Sequence, residues 1–206
     1  MNIGIIGAGN IGGTLSRLFI DAGHEVAISN SRGPETLRDL VASLGPKARA
    51  VTPSEAARFG EIVLLAIPLK DYTTLPAGDL RGKIVIDAMN YYPERDGHFP
   101  RLDSGETTSS EMVAAQLPGA RVVKAFNTIW SEHLKSKGNK TAPAGQRRAI
   151  FLAGDDIEAK GIVSKLIEDI GFGPYDLGTL HNSHTQQPYT AVYNKDVTVA
   201  EAREIV

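Results

Sequence analysis

The sequence predicts an α/β fold: a doubly wound, mostly parallel sheet with helices on both faces and a small C-terminal extension. Short apolar runs alternate with helix-like stretches from the first residues onward, and several of those runs are continuously apolar, as strands covered on both faces require. A glycine-rich turn separates the first run from the first helix-like stretch. Taken in order, Ile3–Ile6 is a strand, and Ile11–Ala22 a helix with Ile11, Leu15, Leu18 and Phe19 at helical spacing. Glu25–Ser29 and Pro34–Leu44 repeat the pair. Ala48–Val51 and Ile62–Ile67 are strands around a helix at Ser54–Phe59, whose start carries the capping sequence Thr52-Pro53-Ser54-Glu55. The strand Ile84–Asp87 leads into an irregular stretch, Asn90–Thr108, rich in Gly, Pro and polar residues. Helix Ser109–Leu117, strand Arg121–Ala125 and helix Trp130–Lys137 follow, then a second irregular stretch, Lys137–Arg148. Strand Ala149–Ala153, helix Asp156–Ile170 with Asp156 as its cap, and strand Gly173–Leu177 complete the pattern. A polar tail ends in a helix-like run, Val197–Val206. Neither a repeat nor a long linker divides the chain, so residues 1–206 are expected to form one domain. Residues 178–206 are its extension, expected to pack against the body or a partner subunit.

Composition narrows the function. The 206 residues carry 22 Lys and Arg against 24 Asp and Glu, a net charge of −2, which argues against nucleic-acid binding and polybasic membrane attachment. With no cysteine, thiol catalysis, thiolate zinc sites and cysteine-ligated iron–sulfur clusters are excluded. Apolar runs such as Ile62 to Pro68 are far shorter than the roughly 20 residues that span a bilayer. The start Met1–Ile6 lacks the basic segment of a secretory signal, and a cytoplasmic location is expected.

Gly7-Ala8-Gly9-Asn10-Ile11-Gly12 matches the G-x-G-x-x-G fingerprint between a strand and a helix, the context of a dinucleotide site in a Rossmann fold. Gly7 permits the turn, Gly9 lets a pyrophosphate approach the backbone, and Gly12 lets helix and strand pack closely. Asn10 and Ile11 open the helix whose free N–H groups face the phosphates. Sites for NAD place an acidic residue about 20 residues later, on the ribose hydroxyls. Here the second strand ends instead in Ser29-Asn30-Ser31-Arg32, with no acid until Glu35. Ser31 and Arg32 are suited to a 2′-phosphate, which makes NADP(H) the expected cofactor. Later strand ends border the same cleft: Ala66, Ile67 and Pro68, then Asn90, then Ala125, Phe126 and Asn127.

The opening Met1–Gly13, the Ser31-Arg32 pair, Ala66-Ile67-Pro68, Asp87–Asn90 with Pro93–Gly97, and above all Val122–Thr128 resemble the coenzyme F420-dependent NADP oxidoreductases. Related flavin-using ferric reductase domains share the layout. The resemblance covers Met1 to Gly178 and implies a homodimer that passes hydride between NADPH and a deazaflavin held in one cleft. By position, it implies Gly7–Gly12 at the pyrophosphate and Ser31 with Arg32 at the 2′-phosphate. It puts Ile67 and Pro68 at the nicotinamide, and Ala125, Phe126 and Asn127 beside the reacting rings. The acceptor is F420, FMN, FAD or another small redox compound. The tail Gly178–Val206 departs from the apolar C-terminal helix expected of relatives.

Other constellations are weaker. His181 and His184 lie three residues apart with no third ligand suggested, and no metal site is expected. His133, in the helix after Thr128, is the candidate proton donor, with Tyr91 a second. Either would suit the alternative of a small carbonyl or imine reductase. A third alternative is an NADP(H)-binding sensor without turnover.

Overall fold

The computed structural model describes residues 1–206. β1 (Asn2–Ile6), α1 (Asn10–Asp21), β2 (Glu25–Ser29), α2 (Arg38–Leu44), β3 (Ala48–Ala50), α3 (Pro53–Phe59) and β4 (Ile62–Leu65) form the first half. The second half holds β5 (Ile84–Asp87), α4 (Ser109–Gln116), β6 (Arg121–Ala125), α5 (Ser131–Ser136), β7 (Ala149–Gly154), α6 (Ile157–Asp169) and β8 (Gly173–Asp176). They build one eight-stranded sheet in the order β3-β2-β1-β4-β5-β6-β7-β8. β1 to β6 are mutually parallel, with Ile3 beside both Val26 and Ile62. β7 runs antiparallel to β6, pairing Leu152 with Ala125, and β8 is parallel to β7.

The predicted fold class is therefore the observed one: a Rossmann-like, mostly parallel sheet covered on both faces. Alternation in β4 shows why the strands read as uninterrupted apolar runs. Ile62 and Leu64 pack with Leu15, Phe19 and Leu166 on one face, while Val63 and Leu65 pack with Ala56, Ala57 and Val113 on the other. Burying one such aliphatic side chain contributes about 1.5–3 kcal/mol. Thr52 and Thr108 open α3 and α4 with capping boxes, each pairing reciprocally with the Glu three residues on.

The irregular stretches contain more structure than expected. Pro93–Asp96 and Pro100–Asp103 are single helical turns, each started by proline, whose missing N–H costs nothing at that position. The run Val197–Val206 forms only the turn Val199–Ala202. Leu180–Gln186 winds into a 3-10 helix, correcting the expectation of a polar surface loop, because Leu180, Ser183 and Gln186 are buried.

Asp156 accepts the Ala159 N–H at 2.9 Å to cap α6 and receives Arg121 Nη2 from β6 at 2.8 Å. The guanidinium, with that backbone bond, holds its carboxyl well below the usual carboxylate range. A depressed folded pKa contributes stability above the ordinary carboxylate value near ~4 and loses it as the pH falls through the folded value. Asp156→Asn is expected to lower the urea midpoint at pH 7, with the gap to wild type closing on acidification. A gap constant down to strong acid contradicts the assignment.

Candidate functional site

The turn after β1 is built from backbone that only glycine tolerates. Gly7 has φ +114°, and a Cβ on Gly12 would lie 1.8 Å from the Gly7 carbonyl oxygen, so α1 starts in contact with the strand end. A Cβ on Gly9 would meet nothing within 4 Å, because this residue faces open cleft. No side chain caps α1 and no acid sits in its first turn, leaving the N–H groups of its first residues and the positive end of its dipole free.

At the end of β2, Ser29 is fully buried and its hydroxyl donates to the Ile5 carbonyl at 3.0 Å, so this side chain is spent inside the sheet rather than offered to the cleft. Asn30 organises the next loop: its Oδ1 accepts the Arg32 N–H at 3.0 Å and its Nδ2 donates to Thr36 at 2.8 Å. Ser31 and Arg32 are exposed beside a groove of about 630 Å³ bordered by Gly7, Gly9, Pro68 and Leu75. The Arg32 guanidinium has no carboxylate partner.

Gly9, Ala66, Ile67 and Pro68 also border a second cleft of about 360 Å³, so the two spaces adjoin along these residues. Beyond them this cleft is lined by Met89, Asn90, Tyr92 and Arg95 after β5, by Phe126, Asn127 and Trp130 after β6, and by Tyr193 and Asn194 of the extension. Ala125 is fully buried and does not reach it. Phe126 has φ +66°, an unfavourable conformation for an aromatic residue; its buried ring meets Phe19 edge-on with centroids 6.4 Å apart. That backbone turn carries Asn127 to Asn90. Asn90 Nδ2 donates to the Asn127 carbonyl and Asn127 Nδ2 to Asn90 Oδ1, both at 2.9 Å. Asn127 Nδ2 also donates to the Gln186 carbonyl at 2.6 Å.

Beneath this rim lies a group that sequence reasoning passed over. Lys124, only 1% exposed, donates to Asp87 Oδ2 at 3.1 Å and to the Met89 carbonyl at 2.6 Å. Asp87 Oδ2 also accepts the Ser110 hydroxyl at 2.7 Å, and its Oδ1 the Met89 N–H at 2.9 Å. Burial draws the Lys124 ammonium below the usual lysine range, opposed by the Asp87 charge. A charged residue at or next to the end of each of two adjacent, largely apolar strands was the available signal.

The candidate proton donors are elsewhere. Tyr91 is buried, its hydroxyl donating to Asp103 at 2.6 Å and accepting the Phe99 N–H at 3.1 Å. His133 does not line either cleft; its ring meets Trp130 at 5.3 Å between centroids. His181 pairs with Glu111 at 3.1 Å rather than sharing a ligand with His184.

A glycine turn open toward a free helix N-terminus, beside an unpaired arginine, has the form of a dinucleotide site. Together with the matches below, the fold makes the chain an NADP-dependent oxidoreductase. Residues 2–91, a little under half of the chain, match the family described as NADP oxidoreductase, coenzyme F420-dependent.

The crystal structure of a hypothetical protein, SMa0349, from Sinorhizobium meliloti superposes with a TM-score of 0.82 at 35% identity, covering 96% of this chain and 95% of that one. A protein from Arthrobacter sp. FB24, described as a candidate F420-dependent NADP-reductase, gives 0.72 at 27% identity over 87% and 85% of the two chains. Metalloreductase STEAP3 of Rattus norvegicus is 31% identical over 180 residues, which are 86% of this chain but 34% of that protein. The chain thus spans about a third of the length of the metalloreductases it matches. No helix is long and apolar enough to cross a membrane.

Proposed function

We propose that this protein transfers a hydride between NADP(H) in the glycine-rich groove and a planar deazaflavin or flavin-type acceptor in the adjoining cleft. The shared border of Gly9, Ala66, Ile67 and Pro68 carries this reading, because it brings the groove and the cleft side by side. Bound NADPH supplies the hydride. The chain's residues supply position: the N-terminus of α1 faces the pyrophosphate, and Ser31 with Arg32 the 2′-phosphate. Ile67 and Pro68 back the nicotinamide and keep water from it, while the exposed Trp130 offers a flat apolar surface to the acceptor. Ring-to-ring hydride transfer needs no acid or base aimed at the cleft. Tyr91 and His133, which do not border the cleft, therefore have no part in this step.

The test is optical: NADPH oxidation with F420, FMN, FAD and no acceptor, side by side. Turnover with one of the ring acceptors is expected. Stoichiometric NADPH binding without turnover in any of them overturns the proposal and favours a sensor. In the same assay Arg32→Ala is expected to weaken NADPH by about 1.5–3 kcal/mol, some ten- to a hundred-fold, with little effect on NADH. Equal losses for both dinucleotides contradict the role given to Arg32.

A further inference from the structure

Hydride transfer between stacked rings leaves one feature of the acceptor cleft unused. Tyr92 and Tyr193, 101 residues apart in sequence, both line it, and their hydroxyls hydrogen-bond to each other. Tyr193 belongs to the extension but is not a loose tail residue. On one side Val192 is buried against Ala149 and Phe151; on the other the Asn194 N–H donates to the Thr128 carbonyl at 2.9 Å. Upstream, fully buried Gln186 donates to the Phe151 carbonyl at 2.9 Å. Tyr92 is fixed as well: its N–H donates to Asp96 at 2.9 Å, and the Arg95 guanidinium lies 4.9 Å over its ring.

The amides that would otherwise recognise a polar ring are already occupied, since Asn90 and Asn127 bond to one another. A hydroxyl pair differs. Only one of its two protons lies between the oxygens, so the pair keeps one O–H to donate and lone pairs to accept. Burial raises the Tyr92 hydroxyl above the usual tyrosine range, with the Tyr193 hydrogen bond adding to it, so Tyr92 stays protonated at working pH.

We propose that the Tyr92–Tyr193 hydroxyl pair reads the hydrogen-bonding edge of the acceptor, a planar heterocycle whose rim alternates carbonyl and ring N–H groups, and that the extension sets acceptor selectivity through Tyr193. This rests on the hydride reading of the same cleft. The pyrimidinedione edge common to flavins and deazaflavins has this alternation, so the pair can donate to a carbonyl and accept from a neighbouring N–H. An acceptor lacking the edge leaves both hydroxyls facing apolar carbon, and sites built around hydrogen bonds reject such ligands strongly.

The experiment compares the full-length wild type with Y193F and Y92F, which keep the rings and remove one hydroxyl each. FMN and F420 are tested in separate arms. Acceptor Kd is read from ligand fluorescence quenching, acceptor KM from turnover, NADPH Kd from nicotinamide fluorescence, and folding from the thermal midpoint. Y193F is expected to raise acceptor Kd and KM about five-fold, as loss of one hydrogen bond implies, with NADPH Kd and the midpoint unchanged. The arm with the larger shift identifies which ring system the pair reads. Acceptor binding unaffected by Y193F and Y92F, equal weakening of NADPH, or no binding of either probe by the wild type overturns the proposal. Turnover unaffected by Y193F overturns this inference alone. Tyrosine-sensitive binding without wild-type turnover overturns the hydride reading alone.

Discussion

Asp87→Ala is expected to destabilise the protein by about 3–5 kcal/mol, because it strands the Lys124 ammonium inside the sheet without a counter-charge. Asp87 is fully buried and Lys124 is 1% exposed, so water cannot replace the missing partner. The Ser110 hydroxyl and the Met89 N–H lose their acceptors in the same step. The double variant Asp87→Ala with Lys124→Met removes both charges and is expected to be more stable than Asp87→Ala alone. Urea midpoints of the wild type, both single variants and the double variant measure this coupling. A loss below about 1 kcal/mol for Asp87→Ala would falsify the view that this pair is energetically coupled. NADPH turnover is expected to fall too, since Met89 and Asn90 lie on the loop that Asp87 and Lys124 hold in place.

Gly12→Ala is expected to disable cofactor binding through one methyl group. The added carbon would sit 1.8 Å from the Gly7 carbonyl oxygen and 3.3 Å from Ile5 Cγ2. The first of these is backbone and cannot turn aside. The N-terminus of α1 must instead move off β1, an overpacking cost of about 1–3 kcal/mol, and the free N–H groups turn away from the pyrophosphate. NADPH titration and thermal melting read the two consequences separately. Gly9→Ala, with nothing within 4 Å, is the control and is expected to melt like the wild type while still weakening NADPH by intruding on the cleft. A Gly12→Ala protein that binds NADPH normally rules out close helix–strand contact as the reason for glycine there.

The sheet was legible because each strand's apolar run is the direct consequence of burial on two faces. Direction was not. A continuously apolar strand such as Ala149–Gly154 looks the same whichever way it runs, so nothing in its residues announced the reversal at β7. At the turn after β1 the glycines were readable because backbone freedom is a property of single residues. Ser29 was misplaced because a hydroxyl at a strand end serves a ligand or its neighbouring strand equally well on paper. Tyr91 and Tyr92 differ by one position, yet one is locked to Asp103 in the interior and the other borders the cleft. Which of the two turns inward depends on the Asp103 partner of Tyr91, which no periodicity reports. The tail looked polar because its buried Gln186 bonds to a main-chain carbonyl, and composition cannot distinguish such a partner from water.

The reversal at β7 also separates two kinds of inherited information. β8 heads away from the cleft rim, the chain turns near Gly178, whose carbonyl accepts the Gly154 N–H, and only the returning segment brings Tyr193 to the rim. The groove's border lies between Ile6 and Pro76, whereas the second cleft takes Tyr193 and Asn194 from the extension. Substitutions in the extension can alter the second cleft while the sheet and the groove around Gly7 and Arg32 stay untouched. On the hydride reading proposed above, selection can thereby retune where electrons go without renegotiating where they come from.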